Sequence, residues 1–312
     1  MSIAVVIPVR NRPDVLTRAV RSVQAQTFAV DEIIIVDDGS TDRTGEVIRE
    51  LAAKDGRVRF VRQLQRKGAS AARNLGVRRA HAEWIAFLDS DDEWMPRKIE
   101  RQIAHIAMQP DCVASFTGYQ TVSDGPLWES MPPESVSLFD LQKINVLGTT
   151  STAMVRRSIL IKAGGFDERL PSCQDWDLWI KLRTFGPFCT VSDILVSFHQ
   201  GGTDRISKNM DSVLNGHRII FQRIMSNVKR SCRRRVSASH NLRMTQIFLW
   251  DIDKPGRAMT HALRSFIAVP SREAGAAGHQ GFKRLTGKVR RALCLPSRKE
   301  VASWWSEPGR KV

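Results

Sequence analysis

The chain has 312 residues, 42% hydrophobic and 26% charged, with 48 Lys plus Arg against 32 Asp plus Glu and a net charge of +16. This is the composition of a globular protein with one large or two ordinary domains, and it excludes a wholly disordered or collagenous chain. The charge invites a phosphate-bearing partner, but residues 1–204 hold 25 basic and 26 acidic side chains, whereas 205–312 hold 23 and 6. A near-neutral domain with a basic appendage is the better description.

Taken in chain order, the first hundred residues read as strand and helix in alternation. Ile3-Ala4-Val5-Val6-Ile7 is a continuous apolar run ending at Pro8, the pattern of a buried parallel strand. Asn11, Pro13 and Asp14 start a helix on which Leu16, Ala19, Val20 and Val23 recur at helical spacing. A second strand, Glu32 to Val36, stops at Asp37-Asp38-Gly39-Ser40, and Thr41 or Asp42 can cap the next helix. Val58 to Val61 is a weaker strand, Ser70 to Ala80 a helix, and Trp84 to Leu88 a fourth strand ending at Asp89-Ser90-Asp91-Asp92. Such alternation predicts an α/β fold, a mostly parallel central sheet flanked by helices. Both acidic clusters follow the carboxyl end of a strand, where open α/β sheets bind ligands.

From about 110 to 150 the pattern is mixed, with Pro126, Pro132 and Pro133 marking a loop. Met154-Val155 reads as strand, a helix follows from Ser158, and Gly164-Gly165-Phe166 leads to a helical start at Gln174-Asp175-Trp176-Asp177. Val191 to Phe198 is the last predicted strand. Beyond Gly201-Gly202 the chain is helical and basic, and the stretch 271–281 reads as a loop. Five cysteines (Cys112, Cys173, Cys189, Cys232, Cys294) are widely spaced without a CxxC pair, which argues for a reducing compartment and against a zinc knuckle. Neither a secretory leader nor a membrane-spanning run is visible, so a cytoplasmic location is expected.

Asp89-Ser90-Asp91-Asp92 offers hard oxygen ligands for Mg²⁺ or Mn²⁺ once the chain turns, although an acidic solvated turn has the same composition. Asp37 and Asp38 can hydrogen-bond a ribose or base edge. Gly68 to Asn74 supplies small residues, a helix N-terminus and Arg73, a side chain suited to a diphosphate or to a solvated helix surface. His199 follows the last strand, where an imidazole can reach a metal or phosphate or serve the structure alone. Asp175, read by itself, is an N-terminal helix carboxylate of the kind the helix dipole favours. Trp176 and Trp179 lie three apart on the predicted helix, so one of them belongs to the core.

Pro8-Val9-Arg10-Asn11, Val36-Asp37-Asp38-Gly39-Ser40-Thr41-Asp42, Ala71-Ala72-Arg73-Asn74-Leu75-Gly76 and Phe87-Leu88-Asp89-Ser90-Asp91-Asp92 resemble, in this order, the motifs of family 2 glycosyltransferases, whose fold is termed GT-A. Thr149-Ser151-Thr152, Gly164-Gly165-Phe166-Asp167-Glu168 and Asp175-Trp176-Asp177-Leu178-Trp179 extend the likeness to about residue 205. The resemblance implies a GT-A catalytic domain over 1–205, with a nucleotide-sugar half to about 110 and an acceptor half over 111–205, followed by a basic, mainly helical region over 206–312. It implies a metal-dependent, hexosyltransferase-type enzyme that inverts the anomeric centre. The donor would be a nucleotide-diphosphate sugar and the acceptor a glycan or lipid-linked hydroxyl, in bacterial-type cell-surface polysaccharide synthesis.

Carried over by position, Pro8, Val9, Arg10, Asn11, Asp37, Asp38, Arg73, Asp89 and Ser90 would contact the nucleotide sugar. Asp91, with Asp92 and His199, would hold Mn²⁺ or Mg²⁺, Asp92 alternatively orienting the loop. Asp175 would be the general base, with Gln174 and Trp176 beside the acceptor, where the indole ring can stack on a sugar. Gln174 departs from the Glu common at that position. A sugar nucleotidyltransferase, an inactive scaffold and a nucleic-acid-binding protein are the competing readings. Against the last, Lys229-Arg230 and Arg233-Arg234-Arg235 lack aromatic interleaving or a helix-turn-helix pattern, so no nucleic-acid partner is expected. An anionic membrane surface is the expected partner of this patch, with Trp304 and Trp305 able to enter the interface, which would place the protein on the inner face of the cell membrane. A solvated helix face or a mobile tail is the alternative.

Overall fold

The computed structural model describes residues 1–123, 127–200, 209–250 and 255–268. Strands β1 (Ile3–Val9), β2 (Glu32–Asp38), β3 (Val58–Gln63) and β4 (Trp84–Phe87) lie parallel in the order β3-β2-β1-β4. Beyond β4 the sheet continues through β8 (Met154–Arg156), β6 (Ala114–Val122), β9 (Phe188–His199) and β5 (Glu93–Trp94), with β7 (Trp128–Ser130) attached to β6. Here directions mix. β8 is antiparallel to β4 and β6, β9 is parallel to β6, and β5 is antiparallel to β9.

Every residue of β1 is buried, because helices cover both faces of this part of the sheet. Side chains alternate across the pleat. Ile3, Val5, Ile7, Ile33 and Ile35 face one core, with Leu16, Val20 and Val23 of α1 (Pro13–Gln24) and Ile99 of α4 (Lys98–Met108). Ala4, Val6, Ile34 and Val36 face another core, with Ala72 and Val77 of α3 (Ala69–Arg79) and Leu178 and Trp179 of α7 (Gln174–Arg183). The other helices of this region are α2 (Thr44–Lys54), α5 (Leu138–Lys143) and α6 (Arg157–Lys162). The cap position of α2 is Arg43 instead of the anticipated Thr41 or Asp42, although Asp42, one residue before it, accepts the Thr44 N–H at 3.0 Å.

The mixed pattern at 110–150 contains β6, a central strand of the sheet. Its buried positions include Ser115, Thr117 and Thr121, so no apolar alternation advertises it. The last strand begins at Phe188, three residues earlier than anticipated.

The chain divides into two compact units, Met1–Ile220 and Phe221–Val312, within helix α8 (Met210–Asn227). In the second unit α9 (Arg233–Trp250) packs on α10 (Pro255–Ala268), with Ser265 Oγ donating to the Ala238 carbonyl at 2.9 Å. Among the described residues no helix is long and apolar enough to cross a membrane. Among the described residues Cys112, Cys173, Cys189 and Cys232 form no disulfide. Gly201-Gly202, the anticipated loop at 271–281, Cys294, Trp304 and Trp305 lie outside the described residues.

Candidate active site

The site grows from the carboxyl ends of β1, β2 and β4. After β1 the chain turns through Asn11, whose left-handed backbone (φ 50°) is one that Asn tolerates through local hydrogen bonds. The Asn11 N–H donates to Ser40 Oγ at 3.0 Å, its Oδ1 accepts the Thr41 N–H at 2.9 Å, and the Arg12 N–H donates to Thr44 Oγ1 at 3.0 Å. These bonds join the loop after β1 to the loop after β2.

Asp37 and Asp38 are both buried, and their partners differ. Asp37 accepts the Ser40 N–H at 2.8 Å and lies 3.5 Å from Arg62. Asp38 accepts from Gln63 Nε2 and from the N–H groups of Lys67 and Gly68 at 3.2, 2.6 and 2.8 Å. Asp38 is therefore committed to holding the loop that enters α3.

At the end of β4 a single hydroxyl secures the acidic turn. Ser151 Oγ accepts the Asp89 N–H at 3.1 Å and donates to Asp92 Oδ2 at 2.6 Å, so it grips both ends of Asp89-Ser90-Asp91-Asp92. The other Asp92 oxygen accepts the His199 N–H at 3.2 Å, and Asp92 is fully buried. Ser151 is itself held, because Trp94 Nε1 donates to its carbonyl at 2.9 Å. Under the Trp94 ring lies the buried Lys98, its Nζ 4.0 Å from the ring centroid and 2.8 Å from Gln102 Oε1. Burial pushes the Lys98 ammonium well below the ordinary lysine pKa.

Two arginines face the carboxylates that remain partly open. Arg12 Nη1 is 2.9 Å from Asp91 Oδ1, while Arg18 Nη2 donates to the Asp91 carbonyl at 2.7 Å. Arg73 Nη2 is 2.5 Å from Asp89 Oδ1, and its guanidinium lies 5.4 Å from the Phe166 ring centroid. The next residue, Asn74, latches α3 to the segment before α7. Its Nδ2 donates to the Phe166 carbonyl and to Glu168 Oε1 at 2.9 and 2.8 Å, and its Oδ1 accepts the Phe166 N–H at 2.9 Å. Gly165, with φ 66°, lets the backbone pass against this amide.

Asp175 lies in the first turn of α7, just after Cys173, which has a left-handed backbone (φ 59°). Asn145 Nδ2 donates to Asp175 Oδ2 at 3.0 Å. Burial raises the Asp175 pKa. Hydrogen bonding from the Trp176 N–H, the positive charge of Arg73 and the Asp175 N–H itself oppose that rise, and Asp89 adds to it. Arg73 thus acts on both Asp89 and Asp175, which puts the acidic turn and the α7 carboxylate in one electrostatic environment.

The remaining anticipated residues fall in different places. Pro8 and Val9 complete β1, and Ser90 is buried in the acidic turn, 3.5 Å from Arg12 Nη1. Arg10 follows β1 directly and is partly exposed. The Gln174 amide turns back onto the Leu170 carbonyl at 3.1 Å. The expected stacking face of Trp176 is not presented. The residue is 4% exposed, its Nε1 donates to the Leu141 carbonyl at 2.7 Å, and its ring meets His217 edge-on. Trp179 is core as well. The His199 ring points toward Glu93, with Nε2 3.9 Å from Oε2.

Sequence reasoning missed Arg12 and Asn145, and it found Ser151 and Asn74 only as parts of motifs, without a role. Among the described residues no group of three or more His, Cys, Asp or Glu is arranged to hold a metal ion by itself. Asp91 nonetheless offers one carboxylate, 12% exposed, in the acidic turn, and Mg²⁺-type cations are commonly bound by one or two carboxylates plus substrate phosphates and water. The donor set fits such a cation.

Comparison with known proteins agrees with this architecture. The chain matches the profile of glycosyl transferase family 2 over residues 4–164 and belongs to that family. It is 37% identical over 158 residues to TuaG of Bacillus subtilis, a glycosyltransferase assigned by name to teichuronic acid biosynthesis, covering 50% of this chain and 62% of that one. It is 29% identical over 211 residues to WfaP of Escherichia coli, named as a UDP-Glc:alpha-D-GlcNAc-diphosphoundecaprenol beta-1,3-glucosyltransferase, covering 66% of this chain and 80% of WfaP. The chain thus spans under two-thirds of TuaG. Among solved structures, Staphylococcus aureus TarS 1–349 in complex with UDP-GlcNAc superposes with a TM-score of 0.65 at 18% identity, covering 89% and 84% of the two chains. The mannosyltransferase PcManGT of Pyrobaculum calidifontis, in complex with GDP-Man and Mn²⁺, gives 0.60 at 16% identity, covering 98% and 88%. The fold is GT-A.

Proposed function

We propose that the protein is an inverting glycosyltransferase that moves a sugar from a nucleoside-diphosphate donor to a hydroxyl of a glycan or lipid-linked acceptor, in the synthesis of a bacterial-type surface polysaccharide. The observation that carries this reading is that Arg73, ion-paired with Asp89 of the acidic turn, also acts on Asp175 of α7. The names of TuaG and WfaP support the acceptor class, and the UDP-GlcNAc held by TarS supports the donor class. On this reading the catalytic region is 1–205, and 206–312 is a basic appendage.

Pro8 to Asn11 and Asp37 line the nucleotide, while Asp38 shapes the wall beside it. Asp89 and Ser90 lie toward the ribose, and Arg73 offsets charge on the diphosphate. Asp91 would hold Mn²⁺ or Mg²⁺ together with the diphosphate oxygens, and the cation would stabilise charge on the leaving group. Asp92 orients the turn. An ionised Asp175 takes the proton of the acceptor hydroxyl as that oxygen bonds to the anomeric carbon. The bond from that carbon to the diphosphate breaks on the opposite face, which inverts the centre. Raising the Asp175 pKa brings a carboxylate nearer the range in which it works as a base. The protein would act in the cytoplasm, peripherally on the inner face of the membrane.

The test is a panel of nucleotide sugars with Mn²⁺ and purified protein, read for transfer to diphospholipid-linked sugar acceptors. Asp175→Asn is expected to abolish transfer while leaving nucleotide binding intact. Full transfer by this variant would overturn the assignment of the base.

A further inference from the structure

We propose that Asn145 is a positioning residue for the reaction, gripping one oxygen of the Asp175 carboxylate so that the other faces the acceptor hydroxyl. The inference rests on the reading of Asp175 as the base and deepens it.

Asn145 follows α5, on a short segment between that helix and the 3-10 turn Thr150–Thr152. Its amide makes three hydrogen bonds, with both N–H groups engaged. One Nδ2 proton goes to Asp175 Oδ2 at 3.0 Å and the other to the Gly148 carbonyl at 3.1 Å, while Oδ1 accepts the Leu147 N–H at 3.1 Å. This pattern fixes the orientation of the amide. Turned over, its oxygen would face two acceptors and its NH₂ would face a donor.

The platform beneath the amide is rigid. Leu147 is buried, and Gly148 has φ 75° with the Tyr119 ring where a side chain would begin. No other residue fits there without moving Tyr119. Ser151, which secures the acidic turn, lies three residues further along the same segment. One stretch of chain therefore fixes the direction of both carboxylate-bearing elements.

An amide N–H donated to a carboxylate stabilises its charged form. Other groups acting on Asp175 are the N–H groups of Trp176 and of Asp175 itself, which hydrogen-bond its carboxylate, Arg73 from α3 and Asp89 after β4. On α5, Asp140 and Lys143 pair with each other at 3.0 Å, and His217 of α8 meets the neighbouring Trp176. Asp177 on α7 is paired with Lys181 at 2.9 Å. The N–H groups belong to α7 itself, and none of these side chains donates the hydrogen bond that Asn145 does.

The experiment needs no donor. Protein labelled with ¹³C-aspartate is titrated by NMR, with the Asp175 carboxyl resonance assigned from Asp175→Asn. Asn145→Ala should raise its midpoint by about one pH unit, a tenfold tighter hold on the proton. Asn145→Asp, similar in shape but carrying a like charge, should raise it further. A melting curve and UDP titration show that each variant is folded. With whichever nucleotide sugar the panel turns over, Asn145→Ala should lower kcat, leave the donor KM unchanged and add no further loss in the Asp175→Asn background. An unmoved midpoint in both folded variants would overturn the role of Asn145. Retained transfer by Asp175→Asn would instead overturn the base itself, so the two failures are distinguishable.

Discussion

At the scale of single residues, the acidic turn depends on Ser151 more than on its own sequence. A turn carrying three carboxylates repels itself. Here the repulsion is offset because Asp92 accepts hydrogen bonds from Ser151 Oγ and the His199 N–H, while Asp91 and Asp89 face Arg12 and Arg73. Replacing Ser151 by Ala removes the 2.6 Å donor to the buried Asp92 Oδ2 and the acceptor for the Asp89 N–H. Loss of a buried partner for a charged group costs on the order of 3 kcal/mol. We expect Ser151→Ala to lower the melting temperature and, by loosening Asp91, to weaken Mn²⁺ binding measured by electron paramagnetic resonance. A melting temperature and Mn²⁺ affinity equal to those of the parent protein would show that the turn holds itself. Asp91→Ala should lose Mn²⁺ binding altogether, whatever the donor.

At the scale of elements, the sequence announces a strand only where burial is apolar. β1, β2 and β4 are covered on both faces and read as unbroken apolar runs. β6 carries Ser115 and Thr117 inward. The backbone there is served by Gln102 of α4, whose Nε2 donates to the Ser115 and Thr152 carbonyls at 3.0 and 3.2 Å. Polar burial of this kind is invisible to a hydropathy pattern. The site divides the same way. Asp89 to Asp92 are contiguous and legible, whereas Arg12, Asn74 and Asn145 reach their partners only because the sheet brings distant loops together.

The second unit carries its own pH dependence. His240 of α9 stacks on Phe221, ring centroids 3.9 Å apart, and burial lowers its pKa from 6.5 to about 4, with His261 adding to the effect. Between these values the unfolded chain holds the extra proton. Stability is therefore complete above about pH 6.5 and falls as the pH drops toward 4, by up to about 3 kcal/mol. Melting curves between pH 7 and 4 should show this loss for the parent protein and a smaller one for His240→Phe. Equal pH slopes in the two proteins would remove His240 as the cause.

At the scale of the whole molecule, the question is what the +16 charge meets. Lys229, Arg230, Arg233, Arg234 and Arg235 are all exposed around the 3-10 turn that enters α9, and no acidic residue lies between Asp211 and Asp251. The carboxylates of the candidate site, by contrast, face Arg12, Arg62 and Arg73 of their own unit, so the basic residues of the second unit are not needed to balance them. A lipid-linked acceptor would be presented at a membrane whose cytoplasmic leaflet is anionic, and each Lys or Arg near such a surface contributes about 1 kcal/mol. Vesicles of phosphatidylglycerol and phosphatidylcholine should bind the protein, and pure phosphatidylcholine should not. Binding should weaken from 50 to 300 mM salt as the screening length shortens. Changing Lys229, Arg230, Arg233 and Arg234 to Gln should weaken vesicle binding by roughly fivefold per residue, with nucleotide binding unchanged. Equal affinity of parent and variant for anionic vesicles would overturn the membrane role. Tighter binding to duplex DNA than to those vesicles would return the charge to the nucleic-acid reading that its total first suggests.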